Sequence, residues 1–103
     1  MMILNITFHI DDEIHANALD YLKTVYIPDA TKSGKVTDAR LCKIWSNGDE
    51  ADGHSYALQF SIADIDALEE WNAQTGRMLN MRLVERFSDK MVGFATLLQE
   101  MDL

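Results

Sequence analysis

The sequence predicts an α+β fold built in the order strand, helix, strand, strand, helix, strand. Three observations carry this. The first strand alternates apolar and polar residues, a second alternating strand follows a turn-rich segment, and two stretches with apolar residues at helical spacing separate the strands.

In the first strand Leu4, Ile6, Phe8 and Ile10 point one way, and Asn5, Thr7 and His9 the other. Successive side chains of a strand leave opposite faces, so one sheet face meets a core and the other is chemically distinct. Asp11, Asp12 and Glu13 then open a helix, since carboxylates complement the positive end of the helix dipole and Asp11 or Asp12 can cap it. The helix is expected to run to about Tyr26, with Ile14, Ala18, Leu22 and Val25 as its buried stripe, flanked by Leu19 and Tyr21. Pro28 is expected to end it, because proline lacks an amide hydrogen and biases Ile27 away from helical angles. Residues 29–35, with Ser33-Gly34, connect to the second strand.

Strands two and three are expected over 36–45 and 54–62, joined by a hairpin whose Asn47-Gly48 and Gly53 are turn signals. In strand three Tyr56, Leu58, Phe60 and Ile62 alternate with Ser55, Ala57, Gln59 and Ser61, repeating the division of strand one. A second helix starts near Asp64, with Ser61 or Asp64 as caps and Ile65, Leu68 and Trp71 on one face. Gly76 is expected to interrupt it before a further helical piece with Met78, Leu83 and Phe87. Ser88-Asp89-Lys90 turns into strand four, from Met91 to about Leu98. This order is the ferredoxin-like split β-α-β, a four-stranded antiparallel sheet of order 4-1-3-2 with both helices on one face. The other face is uncovered in a monomer, and pairing it with a second copy's sheet is a common solution.

A chain of 103 residues, 48% of them hydrophobic, fits one domain spanning 1–103. A formal charge of -8, from 17 acidic against 9 basic residues, opposes binding to nucleic acid or anionic membranes. Nothing approaches the ~20 apolar residues of a transmembrane helix. The start has no basic region, and its apolar run breaks at Asn5, unlike a signal peptide. Cys42 is the only cysteine, so no intrachain disulfide can form. A cytoplasmic protein is expected.

The chain resembles a small bacterial family of uncharacterised domains related to the dimeric α/β-barrel proteins, which include antibiotic-biosynthesis-type monooxygenases. The resemblance covers most of the chain. It lies in the opening strand running into Asp11-Asp12-Glu13-Ile14-His15, in Ile27-Pro28-Asp29, in Ser33-Gly34 followed by Thr37-Asp38-Ala39-Arg40-Leu41, and in Phe87 followed by Val92-Gly93-Phe94-Ala95-Thr96-Leu97-Leu98. Two positions depart from the family pattern. Tyr26 stands where the family often has histidine, and Ala18 where it often has tryptophan. The resemblance implies a dimeric α/β barrel in which the open sheet faces meet.

In that arrangement Asn5, Thr7, His9, Gln59 and Arg40 are candidates to line a small-ligand cavity, with the face of Arg40 left open by parity. An imidazole can act as acid or base, amides can hold a carbonyl or enolate oxygen, and arginine can fix a carboxylate. The same polar groups can instead hydrogen-bond across a homodimer interface. Two functions therefore stand: a homodimer, held by its open faces, that binds a small ligand, or a cofactor-independent monooxygenase or isomerase acting on a small aromatic or polyketide-like substrate with His9 as base. Docking to another protein through the acidic helices is a third class, resting on the charge alone.

No metal and no cofactor are expected. His15 reads as a surface imidazole, and parity sets His54 on the face opposite Gln59, away from His9. Asp49, Glu50 and Asp52 lack EF-hand spacing and read as a solvated turn. Haem-degrading relatives resemble this chain in an asparagine of the first strand and a tryptophan of the second helix, roles open to Asn5 and Trp71. No histidine follows His54 to serve as their axial ligand. Cys42 reads as a buried thiol, Trp45 and Trp71 as core or interface aromatics, and Met78, Met81 and Met91 as packing residues.

Overall fold

The computed structural model describes residues 1–45 and 53–103. Strands β1 (Met2–Ile10), β2 (Val36–Lys43), β3 (His54–Ile62) and β4 (Met91–Gln99) form one antiparallel sheet of order β2-β3-β1-β4, the order read from the sequence. The sheet is open, with β2 and β4 at its edges. Leu4, Phe8, Ile10, Leu58 and Phe60 are buried beneath the helices, and burying each such side chain contributes roughly 1.5–3 kcal/mol. Strand two ends at Lys43, short of the expected residue 45, and the turn with Asp49, Glu50 and Asp52 lies outside the described residues. Among the described residues no helix is long and apolar enough to cross a membrane.

Both helices run longer than expected, for one shared reason. Helix α1, residues 15–31, consists of His15–Tyr21, a π turn Leu22–Tyr26, and Ile27–Thr31. In the π turn the Ile27 amide donates to the Leu22 carbonyl, five residues back. The wider turn makes room for the Pro28 ring and leaves its missing donor without consequence, so the helix passes through Pro28. Buried Ala18, Leu22, Tyr26 and Ala30 form the resulting stripe. Helix α2, residues 65–87, likewise runs Ile65–Trp71, π turn Asn72–Gly76, and Arg77–Phe87, so Gly76 does not interrupt it.

Asp64 caps α2 by accepting from the Ala67 amide at 2.8 Å. The π turn also changes which residues face inward. Trp71, Leu79, Leu83 and Phe87 are buried, whereas Ile65, Met78 and Met81 are exposed rather than packed; Met91 is buried. The Trp71 indole donates to the Ala30 carbonyl at 2.9 Å, pinning the two helices together.

A bulge settles the face of Arg40. Thr37 pairs with Ser61 and Arg40 with Gln59, so three residues of β2 advance against two of β3, and Asp38 adopts φ 54°. Unbroken alternation from buried Val36 would turn Arg40 toward the core. The extra residue flips it to the open face beside Gln59.

Candidate functional site

On the open face β1, β3 and β2 bring the predicted residues together. Asn5 pairs with Gln59, which pairs with Arg40, so the three form a row across the sheet. The Gln59 amide donates to Asn5 Oδ1 at 3.1 Å, and the Asn5 amide donates to Thr7 Oγ1 at 3.1 Å. His9 is exposed at the far end, its Nδ1 3.1 Å from the Ser55 hydroxyl. Flanking this polar network, β4 exposes Val92, Phe94 and Leu98, paired with His9, Thr7 and Ile3. Cys42 is exposed on the same face, not buried, because β2 is an edge strand that the bulge turns outward from residue 40. Trp45 is 79% exposed, with the Lys43 ammonium 4.5 Å from its ring centre.

A separate cleft of about 520 Å³ opens on the helix side, between α2 and the β1–β4 pair. Leu4, Ile6 and Phe8 form its floor, and Glu69, Asn72, Arg77 and Asn80 its polar rim. Tyr26, the last residue of the first π turn, and Asn72 and Gly76 of the second also line it. Both irregular helical turns thus converge on one concavity, and π turns recur at functional sites. Burial raises the pKa of the Tyr26 hydroxyl, helped by Tyr21, so it keeps its proton further into the alkaline range than an ordinary tyrosine. The sequence signal for this cleft is slight: Tyr26 stands out only as a departure from the family pattern, Trp71 looks like a core or interface aromatic, and alternation draws attention to the other face. Asn5 and Trp71 lie on opposite sides of the sheet, so they cannot contribute to one site.

A third constellation joins the start of α1 to the start of β3. His15 is half-buried rather than a free surface imidazole, stacked on His54 with ring centres 3.7 Å apart and planes 9° from parallel. Its Nε2 is 2.8 Å from the Tyr56 hydroxyl, and His54 Nε2 is 2.8 Å from Asp12 Oδ1. His54 pairs with Ile10, across the sheet from His9, as parity required.

The sheet order, the two covering helices and the open face define a ferredoxin-like domain, and comparison with solved structures agrees. An ethyl tert-butyl ether degradation (EthD) family protein from Bacillus halodurans superposes with a TM-score of 0.72 at 17% identity, over 98% of this chain and 100% of that one. An antibiotic-biosynthesis-monooxygenase-like protein from Deinococcus radiodurans gives 0.67 at 14% identity, over 100% and 95%. A dimeric ferredoxin-like protein from an uncultured marine organism gives 0.61 at 13%, over 99% and 97%. At these identities the likeness is one of fold. The chain belongs to the family described as domain of unknown function DUF4286, whose model matches residues 1–101. No functionally curated protein matches it significantly.

Proposed function

We propose that the protein is a homodimer that packs the open sheet faces of two copies together and holds a small, largely apolar molecule in the helix-side cleft of each. The observation that carries the ligand half is the convergence of both π turns on a concavity with an apolar floor and a rim of Glu69, Asn72, Arg77 and Asn80, in which Arg77 is the one cation. Such a site suits an aromatic or polyketide-like body with one polar or anionic end. The dimer half rests on exposed Val92, Phe94 and Leu98 beside a polar network that is already hydrogen-bonded internally, an apolar patch in a polar setting. A structural neighbour described as dimeric supports it. The exposed thiol of Cys42 fits a reducing cytoplasm.

The test has two parts. Light scattering on a sizing column should give twice the chain mass for the native protein and the chain mass for Phe94→Asp; a native monomer overturns the dimer. In a thermal-shift screen of small aromatic acids, a ligand should raise the melting temperature of the native protein but not of Ala95→Trp, which fills the cleft. Equal shifts in both would place the ligand elsewhere.

A second reading is favoured by the row Arg40, Gln59, Asn5, which offers a guanidinium and two amides to a carboxylate on the open face. Asn5, Thr7, His9, Arg40 and Gln59 would then line a pocket at the dimer interface, with His9 as base of a monooxygenase or isomerase. On this reading His9→Ala abolishes turnover of the substrate while the dimer persists. Full activity in that variant removes His9 from the chemistry.

A further inference from the structure

We propose that Asp12, His15 and His54 form a binding site for a first-row divalent transition-metal ion of the zinc class, distinct from the cleft and from the open sheet face. One ligand atom from each residue can be chosen so that all lie within 4.8 Å of one another. Two ligands each about 2.0–2.2 Å from one ion lie at most about 4.4 Å apart, so the set closes around a metal once side-chain rotation brings the atoms within that limit. Two imidazoles and one carboxylate are the donor set that zinc, cobalt and nickel accept. It offers too few hard oxygens for calcium or magnesium.

The three ligands stand on anchored backbone. Asp12 lies in a 3-10 turn, Asp12–Ile14, whose cap Asp11 accepts from the Glu13 amide at 3.0 Å. The Asp11 amide in turn donates to the Lys90 carbonyl at 2.8 Å, tying the turn to the start of β4. His15 follows directly as the first residue of α1. His54 is held in register opposite Ile10, and the preceding Gly53, at φ 132°, lets the chain pass where a Cβ would lie 2.6 Å from the Ile10 carbonyl oxygen.

The surroundings also suit a cation. The Tyr56 hydroxyl, 2.8 Å from His15 Nε2, can hold that ring while its Nδ1 faces the ion, as a hydrogen bond on the far ring nitrogen commonly does for ligating histidines. Asp11 adds negative charge close by, whereas the charge of Glu13 is offset by Lys90 at 2.7 Å. Asp12 is 73% exposed, which leaves a path for the ion and room for water to complete the coordination. Binding would part the stacked rings, since a lone pair in each ring plane must point at the same ion.

Calorimetric titration of the full chain with zinc chloride should show one equivalent bound, and magnesium chloride none. Asp12→Asn and His54→Gln should each weaken zinc binding at least about tenfold. Asp12 is exposed, so its variant tests the site even if His54→Gln folds poorly. His9→Ala and Cys42→Ser, on the opposite sheet face, should bind as the native chain does. Cobalt chloride should produce a visible ligand-field spectrum that Asp12→Asn alters. The proposal is overturned if the native chain takes up no zinc, if Asp12→Asn binds it unchanged, or if Cys42→Ser abolishes binding.

Discussion

The ring of Phe8 lies directly over Gly93 across the β1–β4 pair, so that a Cβ at residue 93 would stand 2.8 Å from two of its ring carbons. Phe8 is buried, meets Tyr26 edge-on with ring centres 5.8 Å apart, and forms part of the cleft floor. The missing side chain on one edge strand therefore sets the position of an aromatic ring in the cleft.

Gly93→Ala should displace that ring. Overpacking of this kind costs about 1–3 kcal/mol, and urea unfolding should show the midpoint falling at unchanged slope. Any ligand of the cleft should bind more weakly to the variant than its stability loss alone explains.

Asp38 holds a left-handed conformation at the bulge that aims Arg40 outward. Asp38→Gly should be neutral or slightly stabilising. Asp38→Val, β-branched at the same φ, should cost about 1–2 kcal/mol in thermal or chemical unfolding. Equal stability of the two variants would mean that the bulge does not need this conformation.

Tyr26 has its hydroxyl pKa raised by burial first and by Tyr21 second, above the ordinary tyrosine value of 10.0. Above that value the unfolded chain loses the proton while the folded chain keeps it, so this contribution is constant below about pH 10 and falls as pH rises beyond. Lys90, raised chiefly by its hydrogen bond to Glu13, acts in the same direction from an exposed position. Tyr26→Phe should therefore flatten the alkaline fall in stability without removing it, as read from melting temperatures across pH 8 to 12.

Asp64 is in extended conformation and bonds the Ala67 amide at the start of α2. Asp64→Ala leaves that donor unsatisfied and should cost about 1 kcal/mol, whereas Asp64→Asn or Asp64→Ser should restore most of it. Circular dichroism during thermal unfolding reads both.

Much of the fold was legible because its signals are local. The alternation of Leu4 to Ile10 and of Tyr56 to Ile62 marks the two central strands, and Asp64 marks where the second helix begins. The helix ends read less well. Pro28 and Gly76 look like breakers, yet one falls two residues after a π turn and the other within one, and such a widened turn, flanked by buried Leu22, Tyr26 and Trp71, breaks the regular helical spacing on which the sequence reading rests. His15 looked isolated for a related reason. Its partners Tyr56 and His54 lie 41 and 39 residues away along the chain and reach it only through strand pairing.

By itself the sequence determined the element order, the sheet topology and the two-sided character of the central strands, because side-chain periodicity follows from backbone geometry. It also placed Asn5, Thr7, His9 and Gln59 together on the uncovered face. Only the tertiary structure decided that Arg40 joins them, since one extra residue at Asp38 reverses the parity of everything after it. Tertiary packing likewise opened the cleft between α2 and the β1–β4 pair and brought Asp12, His15 and His54 together, through contacts between distant segments that no local pattern encodes.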